Sequence, residues 1–176
     1  MHDKVRQHWA AELARVRREL SPAAGHDSSR DPDRWQELER RREVLQTTDM
    51  ALVVSPGQNE IEQMRSQGLD IVPHRKRMND EALDEKFKDA ADRLRLVFVC
   101  AMWMTGFDVP SCSTLYLDKP MRNHTLMQAI ARANRVYPGK HSGLIVDYAN
   151  VFASLERALA IYGTGRGGEM PVKDKQ

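Results

Sequence analysis

LRLVFVC, residues 94–100, is the stretch on which the fold turns. Arg95 is its one charged residue, and Leu96, Val97, Phe98 and Val99 follow without a polar break. A short run of this kind, rich in β-branched and aromatic side chains, predicts a strand too apolar to have a wet face. Working outward, MALVVS (50–55), LDIVPH (69–74), TLYLD (114–118) and GLIVDY (143–148) read as four more strands. Helical patterns separate them. Ser55-Pro56 opens one with Ile61 and Met64 turned inward, and NDEALDEKFKDA (79–90) is anchored by Leu83 and Phe87. Two more run from about Thr125 to Val136 and over 150–162. Five strands alternating with helices predict an α/β fold, a parallel sheet with helices on both faces.

Upstream the pattern is purely helical. Val5, Trp9, Leu13, Val16 and Leu20 recur at spacings of three and four, which places them on one helix face. SPAAGHDSSRDP (21–32) reads as a loop, and Asp31-Pro32 as an N-cap followed by proline at the first helical position. The helix it opens runs to about Gln46, with Trp35, Leu38 and Leu45 on its apolar face. The expected organisation is an α-helical arm over 1–48, an α/β domain over 49–162 and, from GTGRGG onward, a flexible tail over 163–176.

Composition narrows the class. The 176 residues are 41% apolar and 30% charged, as in a soluble globular chain with a busy surface. No apolar run reaches the roughly 18–20 residues of a membrane span, and MHDKVRQHWAAEL has no apolar signal core, so the chain is read as cytoplasmic. Cys100 and Cys112 lack CxxC spacing and a histidine companion pattern, which argues for reduced thiols and against a zinc site. Net charge is only +2, so any contact with nucleic acid must rest on local placement.

Ligands of a parallel sheet gather at the C-terminal ends of its strands. TGFDVP (105–110) follows strand 94–100, and QAIARANR (128–135) follows strand 114–118, so both are expected on one rim. Arg132 and Arg135 are three apart, on one face of a helix. Their forked, permanently charged guanidiniums suit phosphate oxygens; alone, the pair reads first as a solvated basic face. Ser55 is read as an N-cap, with a phosphate contact as the alternative. His74, Arg75 and Arg77 either line a nucleic-acid path or belong to a solvated loop, and Lys119, Arg122 and His124 form a second small basic cluster. Asp80-Glu81-Ala82-Leu83 imitates a magnesium-binding DEAx box but follows HRKRMN and is read as a helix start. The sequence contains no GxxxxGK phosphate loop.

Q-x-x-A-R-x-x-R preceded by T-G-x-D-x-P resembles motifs VI and V of superfamily 2 helicases. TGFDVP, TLYLDKP, HTLMQAIARANRVYPGK and GLIVDY, in that order, resemble the second RecA-like domain of the R (HsdR) subunit of type I restriction enzymes. The likeness runs from about Met50 to Tyr162 and includes HRKRM and KFKD. It implies that Gln128, Arg132 and Arg135 face ATP held with Mg²⁺ mainly by a first RecA-like domain, the arginines near the γ-phosphate. Ala131 stands where most helicases have glycine. Gln128 has a second reading, because Thr125-x-x-Gln128 is also a capping box. In motif V the resemblance implies that Thr105 and Gly106 touch the DNA strand, and that Asp108 approaches the ribose or relays between the two sites.

The implied function is that of a motor fragment. It would supply motifs V and VI for ATP-dependent translocation of double-stranded DNA, alongside nuclease, methyltransferase (M) and specificity (S) components. The alternative is a non-catalytic binding or assembly module, or a truncated remnant, without turnover of its own. An unrelated RNA helicase is disfavoured by YLDKP and IVDY.

Overall fold

The computed structural model describes residues 1–21, 31–100, 102–103, 107–121, 123–151 and 156, with backbone only at 123 and 124. The helix expected over 150–162, apart from Glu156, and the tail over 163–176 lie outside the described residues, as does most of the 21–32 loop. The chain forms two compact units, Met1–Met102 and Trp103–Gln176.

The first unit opens with α1 (His2–Glu19) and α2 (Pro32–Thr47). The spacing of their apolar residues is realised: Val16, Leu20, Leu38 and Leu45 form a buried cluster against which Trp9, Leu13 and Trp35 pack. Trp9 Nε1 donates to the Leu45 carbonyl at 2.8 Å, so even the indole's polar edge is satisfied. Asp31 caps α2 by accepting from the Arg34 amide at 3.0 Å, with Pro32 in the first turn.

Next come β1 (Asp49–Val54), α3 (Glu60–Ser66), α4 (Val72–Asp80), α5 (Leu83–Lys88) and β2 (Leu94–Cys100). β1 and β2 pair in parallel, Ala51 beside Val97 and Val53 beside Val99. α4 packs on β1 and α5 on β2. LDIVPH is therefore not a strand. The Asp70 carboxylate accepts from the Val72 amide at 3.0 Å, Pro73 sits in the first turn, and buried Ile71 is the cap residue of α4. A local side-chain hydrogen bond and a proline have outweighed β-branched propensity.

Three local expectations also change. Ser55 caps no helix, because α3 starts at Glu60 behind Asn59 in a left-handed conformation, and Ile61 is exposed. The helix expected over 79–90 is confined to α5, with Asp80 ending α4 and Ala82 capping α5; the imitation DEAx box thus spans a helix junction. β2 is not dry throughout: Leu94 is buried, but Val99 and Cys100 are exposed.

The second unit holds β3 (Thr114–Leu117), α6 (Asn123–Ala133) and β4 (Leu144–Asp147). β3 and β4 pair in parallel, Leu117 opposite Asp147, and α6 packs on both. Leu117, Leu126 and Val151 form the core, supported by Leu115, Met121, Ile130 and Ile145. The class is thus α/β with parallel strands and leading helices. Among the described residues there are four strands in two separate pairs rather than five in one sheet. No described helix is long and apolar enough to cross a membrane.

Candidate functional site

α6 is built to present its C-terminal end. Leu126, Ala129 and Ala133 are its buried stripe, at three- and four-residue spacing, and the two alanines allow close approach to the strands. The closest approach is at Gly143, just before β4. A Cβ there would lie 2.2 Å from the Ala133 carbonyl oxygen and 2.5 Å from its carbon. Only glycine fits, and that fixes the last turn of α6, which carries half-buried Arg132, against β4.

The helix stops at Ala133, three residues short of the expected Val136. The Asn134 amide still bonds to the Ile130 carbonyl, while its side-chain oxygen accepts from the Gly143 amide at 3.3 Å. Arg135 is thus beyond the helix, and the one-face arrangement expected for the arginine pair is replaced by a helix-end and loop arrangement. A turn follows in which Tyr137 and Lys140 form an antiparallel bridge around Gly139, whose φ of 78° suits glycine.

This turn holds the chain at Pro110 and Cys112. Lys140 Nζ donates to the Pro110 carbonyl at 2.9 Å and to the Cys112 carbonyl at 2.7 Å, and the Cys112 amide closes back on Val109 at 3.0 Å. Val109 is buried, and Asp108 beside it is exposed. Arg135 Nε lies 3.3 Å from Asp108 Oδ1, both side chains more than half exposed. Two segments 27 positions apart, both singled out in the sequence, therefore meet in an ion pair. In water such a pair is worth little to stability. A competing phosphate could take the guanidinium from it.

Gln128 is half-buried in the middle of α6. Its capping-box reading fails: Thr125 is the third residue of the helix, not its cap residue. Thr105 and Gly106 lie outside the described residues, as do Arg122 and the His124 side chain. Lys119 is exposed on the β3–α6 connection. Burial pushes the Cys112 thiol up, against the opposing pull of nearby Lys140.

The basic stretch HRKRM is a helix, not a loop, and two of its arginines are committed internally. Arg75 grips Glu60 through Nε and Nη2 at 2.6 Å each and donates to the carbonyls of Val54 and Ser55. Arg77 binds Asp49 and Glu81 and the Met50 carbonyl. These contacts tie α4 to β1. Burial tends to raise the Asp49 carboxyl, but hydrogen bonding and charge from Arg77 outweigh it and hold the group below its ordinary range. Arg75 does the same to Glu60.

Sequence reasoning missed Gly143, Asn134 and Lys140, which position the end of α6 and the 108–112 segment without bearing the expected chemistry. Asp147 also escaped it; its carboxylate accepts from the amides of Ala149 and Val151, shaping the turn after β4. The signal was present only as a G and a K at the ends of recognised strings.

A parallel-stranded α/β unit joining these two segments defines a class for which a family match exists. Residues 74–150 match the family of the type I restriction enzyme subunit R domain 3, and the chain is related to the R subunits of type I restriction enzymes. It is 49% identical over 99 residues to the type I restriction enzyme HindI endonuclease subunit of Haemophilus influenzae, which covers 54% of this chain and 9% of that protein. It is 36% identical over 72 residues to the type I restriction enzyme SsaAORF53P endonuclease subunit of Staphylococcus saprophyticus, covering 40% of this chain and 8% of the relative. The corresponding SauCOLORF180P subunit of Staphylococcus aureus is 37% identical over 71 residues, with 40% and 8% covered. The chain thus spans less than a tenth of these relatives.

Proposed function

We propose that the chain is part of the motor of a type I restriction endonuclease, its second RecA-like domain with a leading helical arm, working in the cytoplasm. In this reading Arg132 and Arg135 are the arginines that complete an ATP site whose phosphate loop lies in a first RecA-like domain. Gln128 helps orient the nucleotide, and Asp108, with Thr105 and Gly106, couples that site to double-stranded DNA. The observation that carries the reading is the Asp108–Arg135 contact, which makes the motif V segment and the end of α6 one element.

The chemistry follows from that contact. A γ-phosphoryl group offers Arg135 a more highly charged, bidentate partner than an exposed aspartate does. Engagement would release Asp108, so arrival of nucleotide at one segment would alter the other. Charge neutralisation of this kind is what an arginine finger supplies to phosphoryl transfer. The donors of this unit fit Mg²⁺ poorly: Asp108 faces Arg135, and Asp147 accepts backbone amides. Its ligands therefore fall to the first RecA-like domain. Contacts that track DNA backbone do not read bases, so sequence choice falls to the S subunit, methylation to the M subunit and cleavage to the nuclease domain.

A second reading, a docking module or remnant without turnover, rests on the absence of a phosphate loop from the sequence. Hydrolysis by the purified chain, with and without linear duplex DNA and beside the Arg132→Ala/Arg135→Ala variant, tests the division of labour. No turnover above the variant is expected. Arginine-dependent turnover would mean that the chain holds a phosphate cradle of its own. In the complete R subunit the same double substitution is expected to abolish DNA-stimulated hydrolysis; unchanged hydrolysis there would favour the docking reading.

A further inference from the structure

The first turn of α1 contains an arrangement that the motor reading does not use. His2 is 94% buried at the start of an otherwise charged helix, with 6% of its surface exposed. Its Nδ1 lies 2.8 Å from Asp3 Oδ1, and its Nε2 has no hydrogen-bond partner among the described residues. The His74 ring, from α4, stands edge-on to it with centroids 4.6 Å apart, and Phe98 of β2 closes another side at 5.1 Å. One donor atom from each of His2, Asp3 and His74 lies within 4.8 Å of the others.

Simple packing accounts poorly for this. A buried imidazole nitrogen without a partner is costly, and a leucine would fill the same space without that cost. Two imidazoles and one carboxylate form instead the borderline nitrogen–oxygen donor set that suits a first-row divalent ion. Zinc bonds of about 2.0–2.2 Å place neighbouring donors roughly 3.3 Å apart. The three groups would close by an ångström or so to meet the ion, with water in the fourth position. The spacing 2, 3, 74 resembles no zinc motif, and the argument against zinc from Cys100 and Cys112 does not touch this set.

We propose that His2, Asp3 and His74 bind a divalent transition-metal ion of the Zn²⁺ class, stapling the helical arm to α4. Since Arg75 and Arg77 tie α4 to β1, the ion would fix the start of α1 to the strand pair across 71 positions of sequence. This is independent of the ATP reading.

Titrating the full chain with Zn²⁺ by calorimetry tests it. One equivalent is expected to bind, with a rise in Tm that a chelator reverses. His2→Ala and His74→Ala should each weaken the affinity tenfold or more; affinities equal to the unsubstituted chain would overturn the proposal. Should those variants not fold, the unsubstituted chain still decides. Co²⁺ is expected to give visible bands of nitrogen and oxygen ligation, with zinc shielding the half-buried His74 from diethylpyrocarbonate. Thiolate charge-transfer bands, or equal modification of His74 with and without zinc, would sink it.

Discussion

Replacing Gly143 with alanine should loosen one unit and leave the other untouched. The added Cβ would meet the Ala133 carbonyl oxygen at 2.2 Å, its carbon at 2.5 Å and its Cβ at 3.0 Å, where ordinary contacts begin at 3.4 Å. The first shortfall, 1.2 Å, lies between backbone and backbone, so no side chain can rotate away from it. Either the end of α6 lifts from β4 or the entry to β4 bends, and the Asn134–Gly143 hydrogen bond goes with it. Overpacking of this kind costs about 1–3 kcal/mol, and rigid partners put it near the upper end. A cost of about 3 kcal/mol is roughly a hundredfold in the opening equilibrium of the unit. Hydrogen exchange read by mass spectrometry separates the regions: peptides of α6 and β4 should lose roughly that factor of protection, and those of α1 and α2 none. In the complete motor, moving Arg132 and Arg135 by about an ångström should cost hydrolysis on the order of a hundredfold. Unchanged protection across α6 and β4 would refute the argument that this glycine sets the helix position.

Arg135→Ala in the complete R subunit should reduce DNA-stimulated hydrolysis by about a thousandfold or more while leaving ATP binding largely intact, as steady-state rates and nucleotide titration would show. Asp108→Asn should cost less than about 1 kcal/mol in urea denaturation, since the pair is exposed, yet uncouple hydrolysis from DNA. Lys140→Met leaves the Pro110 and Cys112 carbonyls without their donor; a loss of about 1–3 kcal/mol is expected in urea denaturation, and an unchanged midpoint would refute the clamp. Asp49 is held below its ordinary value when folded, so its contribution is complete above about pH 4 and disappears as pH falls through the lowered value. Acid unfolding of α4 followed by NMR should therefore become less steep in Asp49→Asn, and an unchanged profile would refute that role for the Arg77 pair.

Several elements were readable because single residues announce them. Asp31-Pro32 capped a helix as written, and the alternation of apolar runs with helical patterns gave the class. LDIVPH misled because its apolar residues match a strand while Asp70 and Pro73 act through local bonds that periodicity does not register. The site divided in the same way. Arg132 and Arg135 could be singled out by type and spacing, Gln128 and Asp108 only through the resemblance. That α6 would end before Arg135 depended on Asn134 finding the Gly143 amide, a contact between segments nine residues apart. Gly143 and Lys140 were invisible because their roles are steric and backbone-directed, with no chemical signature. The basic stretch 74–78 failed as a nucleic-acid signal for the converse reason: its charges looked free until their partners, up to 28 positions distant, were placed.

That last feature has a thermodynamic side. Each phosphate neutralised by a protein cation releases condensed counterions and steepens the salt dependence of DNA binding by about 0.9 in the log–log slope. Arg75 and Arg77 face Glu60, Asp49 and Glu81, so the helix that carries them is a closed account of charge within the protein. Of HRKRM, only the exposed Lys76 retains a cation for the ionic atmosphere. A string of letters that reads as polycationic would act on a passing duplex as almost a single charge.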